Sequence, residues 1–242
     1  MQLVIDIGNT RVKAALFEKK ELKDQFVFKS ADDLFSADLF EKNTISHGIV
    51  ASVVNEMDAF VNKLKEKTKV LLFTSETPVP IKNSYQSVQT LGSDRLASAV
   101  GGNSLFPNKN ILVIDAGTCI KYNFVNKQNE YIGGAISPGF EMRFKALHTF
   151  TARLPLVEKD ENFDMLIGKN TKESILSGVE IGVVAEMEGI ISRYQQLYPD
   201  LITVLTGGDV NFFEKRLKKP IFADQNLILK GLNVILDYTI NA

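Results

Sequence analysis

Residues 1–17 read MQLVIDIGNTRVKAALF, and residues 113–118 repeat the centre of that stretch as VIDAGT. Each copy is an apolar run followed by Asp, one further residue, Gly and, within two positions, Thr. With one gap at Asn9, residues 4–13 align with residues 113–121, and both segments end in Lys. The pair indicates a duplicated strand–turn–strand unit, and therefore a duplicated domain rather than two unrelated ones.

The composition restricts the class of protein. Apolar residues make up 45% of the chain and charged residues 24%, which is typical of a globular protein. The net charge of −1 offers no basic surplus for nucleic-acid phosphates, and no apolar run approaches the ~18 residues of a membrane helix. We therefore expect no nucleic-acid partner and no membrane association.

The compartment is predicted from two weaker observations. The single cysteine, Cys119, cannot form an intrachain disulfide, which fits a reducing cytoplasm. The first residues lead directly into an apolar strand without a basic segment, so we expect no signal peptide. Together these observations predict a cytoplasmic protein.

The apolar periodicity of the first half predicts an α/β domain with a mixed sheet. We expect strands at residues 2–7, 12–17, 25–29, 47–53 and 70–74, and helices at 32–42, 57–65 and after a loop within 91–104. The first two strands flank a tight turn. The strand–helix–strand order of residues 47–74 favours parallel pairing through a crossover helix.

The second half repeats this order of elements. We expect strands at residues 111–115, 119–125, 130–137 and 202–206, and helices at 171–198, 208–217 and 225–239. Residues 106–108 form the predicted loop between the copies, which places the domains at 1–108 and 109–242. The long helix carries an apolar stripe wide enough for a core or a dimer face, at Ile175, Val179, Val183 and Met187.

A strand–Asp–x–Gly–Thr turn is suited to binding phosphate. Gly lets the backbone approach a ligand, and the turn N–H groups and the Thr hydroxyl donate to phosphate oxygens. Asp would repel phosphate unless a cation such as Mg²⁺ lay between them. Two such turns fit ATP, and residues 205–209, LTGGD, supply a candidate adenosine site where a strand runs into a Gly-Gly helix start.

The alternative for each copy alone is an ordinary hairpin turn, in which Gly serves a positive φ and Asp or Thr bonds locally. An ordinary hairpin turn does not require the flanking Val-Ile, the Thr or the Lys. Because both copies contain these residues, the repeat favours the nucleotide interpretation. His47 and His148 are too few and too far apart in the sequence to indicate a metal site.

The order D-x-G-N-T, D-x-G-T and T-G-G resembles the two phosphate motifs and the adenosine motif of the acetate and sugar kinase, chaperone and actin superfamily. Within it the chain is similar to the type III pantothenate kinases. The segments that carry this resemblance are LGSDRLA at 91–97, GGAISPG at 133–139, ARLP at 152–155 and GKNT at 168–171 followed by Ser177-Gly178. The resemblance implies two duplicated ribonuclease-H-like (actin-like) domains, each a mixed sheet flanked by helices, with the active site in the cleft between them.

The resemblance implies ATP-dependent phosphorylation of pantothenate to 4'-phosphopantothenate, the first step of coenzyme A biosynthesis, by a homodimer, with Asp94 as general base. The implied substrate-binding residues are Tyr85, Gly92, Ser93, Asp94, Arg95 and Thr171. The implied ATP-binding residues are Asp6, Ile7, Gly8, Asn9, Thr10, Arg11, Val12, Lys13 and Thr118. Asp6 is also implied to hold Mg²⁺ through the phosphates, and Asp115 to bind a monovalent cation, K⁺ or NH₄⁺.

Two positions depart from the family pattern at predicted nucleotide contacts. Lys121 stands where Thr is more usual, and Asp209 extends T-G-G with an acid. Two other functions stay open, namely a kinase of the same superfamily with another small acceptor, and a nucleotide-gated regulatory accessory protein of the same fold. The G-S-D-R segment favours pantothenate over another acceptor, and the intact Asp94 favours an enzyme over a regulator.

Overall fold

The computed structural model describes residues 1–8, 10–53 and 57–241, and within it the chain divides into two compact units. Unit 1 consists of Met1–Asn108, Val125–Gly133 and Asn226–Ala242, and unit 2 of Lys109–Phe124 and Gly134–Gln225. The first break falls at the predicted loop, but two segments expected in the second domain belong to unit 1. The duplicated domains 1–108 and 109–242 stay a prediction.

The strands form two mixed sheets, one of five strands and one of six. Their bounds are β1 (Gln2–Ile7), β2 (Val12–Glu18), β3 (Glu21–Phe28), β4 (His47–Ser52), β5 (Lys69–Leu72), β6 (Lys82–Asn83), β7 (Ile111–Ala116), β8 (Cys119–Val125), β9 (Glu130–Pro138), β10 (Ile202–Thr206) and β11 (Phe222–Ala223). In unit 1 the order is β3-β2-β1-β4-β5, with β1 antiparallel to β2 and parallel to β4. The predicted hairpin and the predicted parallel crossover from β4 to β5 are both confirmed.

The helices confirm most of the expected positions. Their bounds are α1 (Asp33–Ser36), α2 (Leu39–Lys42), α3 (Asp58–Lys65), α4 (Ser93–Leu105), α5 (Phe140–Thr149), α6 (Thr171–Leu176), α7 (Gly182–Leu197), α8 (Val210–Glu214) and α9 (Leu227–Ile240). The single helix expected at 32–42 is two short helices, because Ala37 adopts an extended conformation between them. The sequence analysis did not predict α5.

The C-terminal helix, expected in the second domain, packs in unit 1. Helix α9 lies against α4 as well as β1 and β4. The approach of the two helices is close, since a Cβ on Gly231 would overlap the backbone carbonyl of Ala97. Strand β1 is buried almost throughout, and its Leu3 and Ile5 belong to a separate apolar cluster of unit 1 that also contains Phe60 and Leu64 of α3.

Unit 2 is built on strand β7, all six residues of which are buried. Strand β10 pairs in parallel with both β7 and β11, and β8 lies on the other side of β7. The helix expected at 171–198 is divided by a π-helical turn at Ser177–Ile181 between α6 and α7. Its apolar stripe lies in the core of unit 2, which decides between the core and dimer interpretations in favour of the core.

Across the described helices, none is both long enough and apolar enough to cross a bilayer.

Candidate functional site

The first predicted phosphate turn connects β1 to β2 in unit 1. Asp6 is the register partner of Lys13 in this antiparallel pair, so the two side chains leave the same face of the sheet, with Cβ atoms ~5 Å apart. Thr10 and Arg11 are exposed, and the Gly8 N–H donates to the Arg11 carbonyl at 3.1 Å. The turn therefore combines a carboxylate, an ammonium group and exposed donors at the end of one strand.

Two of the predicted ATP contacts face the core instead. Ile7 and Val12 are buried in the apolar cluster of unit 1. Their side chains are unavailable to a ligand, so any contact that they make with ATP comes from the main chain. Asn9 lies outside the described residues, and its predicted contact stays a prediction.

The predicted general base lies at the start of α4. Gly92 caps the helix, and Asp94 Oδ1 accepts a hydrogen bond from the Arg95 N–H at 2.8 Å. Ser93 Oγ donates to the Ser52 carbonyl at 3.2 Å, which ties the helix start to the end of β4. A Cβ on Gly92 would stand 2.6 Å from Asp94 Oδ1, so the Asp94 carboxylate would have to shift to admit one.

Arg95 and Tyr85, two predicted substrate residues, are in contact in unit 1. The Arg95 guanidinium carbon lies 5.4 Å from the centroid of the Tyr85 ring, a cation–π distance. Arg95 is only 5% exposed, which is uncommon for arginine. The Tyr85 ring also packs on Tyr131, and Gly133, with a φ of 136°, allows it because a Cβ there would lie 3.3 Å from the ring.

The second predicted phosphate turn connects β7 to β8 in unit 2. Its two residues are Gly117 and Thr118, and the Gly117 N–H donates to the Cys119 carbonyl at 3.1 Å. The Thr118 side chain is exposed, and its carbonyl accepts from the Gly139 N–H at 3.0 Å. A Cβ on Gly139 would overlap the carbonyls of both turn residues, so this approach requires a glycine.

The candidate adenosine segment packs on the end of the same strand. Gly207 has a φ of 104°, and a Cβ there would overlap the Ala116 carbonyl. The Asp209 N–H donates to that carbonyl at 3.0 Å, and its carboxylate accepts from Lys159 Nζ at 2.7 Å. Asp209, which departs from the family pattern, is therefore held in an ion pair.

Lys121 occupies the carboxylate to which the resemblance assigns a monovalent cation. Its Nζ lies 2.9 Å from Asp115 Oδ2, and the two side chains are 20% and 7% exposed. This is the length of a charge-assisted hydrogen bond. A dissolved cation ~4 Å from the ammonium would meet a repulsion of about 4 kcal/mol at an effective dielectric constant of ~20, which cancels its attraction to the paired carboxylate. The residues present therefore do not fit K⁺ or NH₄⁺ at Asp115.

Magnesium fits the first turn only together with phosphates. Among the residues that the structure describes, no group of three His, Cys, Asp or Glu side chains could hold a metal ion. Mg²⁺ is commonly bound by one or two carboxylates plus substrate phosphates. Asp6, half-buried at the end of β1, is suited to that arrangement.

Thr171, the remaining predicted substrate residue, begins α6 in unit 2. The helix is capped by Asn170, whose side-chain oxygen accepts from the Glu173 N–H at 3.0 Å. Thr171 lines a cavity of about 590 Å³. The other residues around this cavity include Arg143, Leu147, Ser174, Ile175 and Gly178.

A polar network around Arg143 was not predicted from the sequence. Arg143 pairs with Glu186 at 2.6 Å, and Ser137 Oγ donates to the same carboxylate at 2.7 Å. Burial, and then the Glu186 charge, raise the pKa of Tyr122, whose hydroxyl donates to Glu186 at 3.4 Å. The available signal was the turn-forming Pro-Gly pair at 138–139 followed by apolar residues at helical spacing, Phe140, Phe144 and Leu147.

The π-helical turn of unit 2 contains a buried acid that the sequence analysis also missed. Glu180 is fully buried, and its Oε1 accepts from the Asp160 N–H at 2.8 Å. Within the described part of the chain, Oε2 has no hydrogen-bond partner. Burial raises the pKa of the Glu180 carboxyl, because the charged form loses its hydration.

Comparison with known proteins gives two kinds of match. A family model described as type III pantothenate kinase matches residues 2–193. The type III pantothenate kinase of Bacteroides fragilis strain ATCC 25285 is 45% identical over 240 residues, covering 98% of each chain. That of Flavobacterium johnsoniae strain UW101 is 42% identical over 244 residues, covering 100% of this chain and 99% of the relative.

Solved structures share the fold at low identity. A ROK family glucokinase from Streptomyces griseus, in complex with glucose and AMPPNP, matches with a TM-score of 0.56 and 11% identity, covering 100% of this chain and 99% of its own. A Campylobacter jejuni protein, provisionally described as a Baf family transcriptional activator, matches with a TM-score of 0.66 and 20% identity, covering 99% and 100%.

At these identities the likeness shows the fold alone, and it confirms the predicted sugar-kinase and actin-like architecture of mixed sheets flanked by helices. The full-length relatives at 45% and 42% identity do not favour the regulator alternative. Because the family model also spans residues 2–193, the chain belongs to the type III pantothenate kinase family.

Proposed function

We propose that the chain phosphorylates the primary hydroxyl of pantothenate with ATP, producing 4'-phosphopantothenate and ADP, the first step of coenzyme A biosynthesis. The observation that carries this proposal is the match to the family model over residues 2–193, together with relatives of that name. The arrangement of unit 1 supports it, since Asp94 lies in the first turn of α4, next in the chain to Arg95, which contacts Tyr85.

Asp94 accepts the proton of the acceptor hydroxyl in this proposal. The hydroxyl oxygen forms a bond to the γ-phosphorus while the bond from that phosphorus to the bridging oxygen of ADP breaks. Because phosphoryl transfer has a loose transition state, positioning matters most, and general-base help contributes about 10²–10⁴-fold. The Arg95 N–H at 2.8 Å from Oδ1 supports an orienting role for the backbone at this helix start.

Arg95 is assigned to the carboxylate of pantothenate. A planar guanidinium binds carboxylates through paired donors, and the Tyr85 ring over it restricts its orientation. Sugar acceptors carry no carboxylate, so a buried Arg95 favours pantothenate over the other small-molecule kinases of the superfamily. Gly92 and Ser93 supply the helix start, and Thr171 of unit 2 is proposed as a further substrate contact.

The two turns are assigned to the phosphates of ATP. In the first turn, Lys13 supplies a positive charge beside Asp6, and Thr10 and Arg11 supply donors. The Gly8 N–H is taken by the Arg11 carbonyl, so Gly8 contributes by letting the backbone approach the phosphates. In the second turn, the exposed Thr118 hydroxyl donates to phosphate. Mg²⁺, when bound to ATP, would neutralise part of the charge on the phosphate oxygens, and Asp6 would hold it.

We also propose that the enzyme is a cytoplasmic homodimer. Unit 2 presents large apolar side chains that are mostly exposed, among them Phe150 at 85%, Leu166 at 75% and Ile167 at 78%. Apolar surface of this kind is stabilised by burial against another protein, here a second copy. Light scattering after size-exclusion chromatography tests the assembly, and a monomer at micromolar concentration would refute it. Cys119, a free thiol, fits the reducing compartment.

The function is tested by mass-spectrometric detection of phosphopantothenate from ATP, Mg²⁺ and pantothenate. Asp94→Asn should lower kcat by about 10²–10⁴-fold with ATP binding retained, because only the proton acceptor changes. The matched control is Asp58→Asn, which removes an exposed acid from the first turn of another helix in unit 1 and should leave turnover unchanged.

The outcomes separate the candidate functions. Product formation that is lost in Asp94→Asn supports the kinase with the proposed base. ATP binding without phosphopantothenate would redirect the search to other acceptors or to the regulator. Unchanged turnover in Asp94→Asn would remove Asp94 from the mechanism.

A further inference from the structure

The second phosphate turn carries a fixed positive charge. Lys121, on β8, and Asp115, on β7, form an ion pair of 2.9 Å, and Gly117 and Thr118 lie between these two residues in the chain. Asp115 is also the register partner of Thr206 on the parallel strand β10, so their side chains lie on the same face of the sheet. The Thr206 hydroxyl is fully buried and has no hydrogen-bond partner among the described residues. This end of the sheet is therefore polar on two adjacent strands.

Stability alone does not account for such a pair. Removing two charges from water costs several kcal/mol, and buried ion pairs are often no better than apolar side chains of the same size. The two members of the pair instead flank the turn that presents the exposed Thr118, where polyphosphate would bring further negative charge. A positive group at this position offsets both the Asp115 carboxylate and the phosphates.

The ammonium group of lysine resembles the monovalent cation that the family resemblance assigns to Asp115. A lysine side chain ends in an ammonium group, so it delivers the charge of K⁺ and the N–H donors of NH₄⁺ at the same carboxylate. Unlike a dissolved ion, the ammonium group is covalently attached to the protein, so its presence at Asp115 does not depend on an ion concentration in solution. Thr, the more usual residue at this position in the family, would leave the carboxylate accessible to a dissolved cation.

We propose, on the basis of the proposed kinase function, that the Lys121 ammonium serves as the built-in cation of the second phosphate turn, so that this enzyme works without added K⁺ or NH₄⁺. Lys121 is a positioning residue, because it acts on ATP through Asp115 and the turn. Its removal should create the dependence on a monovalent cation that the native chain lacks.

The experiment compares the wild-type full-length chain in Na⁺, K⁺ and NH₄⁺ chlorides at equal ionic strength, each at about 100 mM. Wild-type kcat/KM for ATP should agree within about twofold among the three salts, since the charge is covalent. Lys121→Thr should lose about tenfold or more in Na⁺ and recover to within about threefold of wild type in K⁺ or NH₄⁺.

A second measurement does not depend on turnover. The thermal midpoint of Lys121→Thr should rise in K⁺ relative to Na⁺, because a cation that binds only the folded state stabilises it. The wild-type midpoint and the affinity for a non-hydrolysable ATP analogue should be the same in both salts. The control is Lys109→Thr, which removes an exposed charge just before β7 and should respond like wild type.

Three results would overturn the proposal. One is a wild-type enzyme that is inactive in Na⁺ and is activated by K⁺. Another is a Lys121→Thr enzyme that K⁺ rescues neither in turnover nor in thermal midpoint, which would make the pair structural. A third, decisive even if pantothenate is not the acceptor or the variant does not fold, is wild-type affinity for the ATP analogue that rises with K⁺.

Discussion

Gly207→Ala is expected to destabilise unit 2 strongly, and the structure supplies its own control at the next residue. Gly207 has a φ of 104°, and a Cβ there would overlap the backbone of Ala116 at the end of β7. For Gly208, a Cβ would meet no atom within 4 Å, and no positive φ is involved. The two substitutions therefore add the same methyl group to adjacent positions with opposite consequences.

The magnitude follows from two costs. A non-glycine residue held in a sparsely populated backbone region costs about 1–3 kcal/mol. Forcing a methyl group into a filled space costs a further 1–3 kcal/mol or so. The overlap involves main-chain atoms rather than a flexible side chain, so no rotamer change relieves it. The expected loss of about 2–6 kcal/mol is a large fraction of the 5–15 kcal/mol of a typical domain.

Urea unfolding followed by far-UV circular dichroism is the assay. With a slope of about 2 kcal/mol per M, a loss of about 2–6 kcal/mol should lower the midpoint of Gly207→Ala by about 1–3 M, whereas Gly208→Ala should stay near wild type. Equal midpoints for the two variants would refute the argument. ATP-analogue affinity provides a second measure, because Gly207 and the Asp209 N–H both contact the Ala116 carbonyl beside the second turn.

Two further predictions concern other parts of the chain. Tyr85→Leu should raise KM for pantothenate by about 3–30-fold, the equivalent of losing one cation–π contact. Tyr85→Phe keeps a ring over Arg95 and should change KM little. Equal increases in KM for both variants would exclude the cation–π contact as the cause. Burial raises the pKa of the Glu180 carboxyl. At pH values above the usual carboxyl pKa, the folded state therefore binds more protons than the unfolded state, and the stability of the fold decreases as pH rises. Glu180→Gln removes this titration, and its thermal midpoint minus that of wild type should increase from about pH 5 to pH 8; parallel pH profiles would contradict the assigned cause.

The parts of the fold predicted from sequence are those set by local pattern. The strands on either side of each Asp-x-Gly turn alternate or run apolar, and all four appear within one residue of the expected bounds. The placement of α9 was not predictable in the same way. Its apolar face fits any core, and its position in unit 1 depends on the close approach at Gly231, which only the folded chain shows.

The candidate site divides along the same line. The helix start at Asp94 and the exposed turn at Thr118 follow from local motifs, and the structure shows both features, while the roles assigned to these two residues stay predictions. The burial of Ile7 and Val12 also follows from alternation, although motif matching had assigned them to ATP. The ion pair of Lys121 with Asp115 could not be read from spacing, because it depends on how the side chains turn across two neighbouring strands.

The two copies of the turn meet the same electrostatic requirement in different ways. In the first, a longer turn places Lys13 directly across the antiparallel pair from Asp6; in the second, a two-residue turn brings Lys121 to Asp115 at 2.9 Å. A bound K⁺ and a lysine ammonium would leave the same net charge at that carboxylate, so the replacement changes no long-range field. The difference lies in how ATP binding depends on salt. A dissolved cation stabilises the second turn only to the extent that its concentration lets it bind, whereas a covalently attached ammonium is present in any salt. With Lys at position 121 in place of the more usual Thr, the second turn does not depend on a dissolved cation, while the chemistry at Asp94 stays the same.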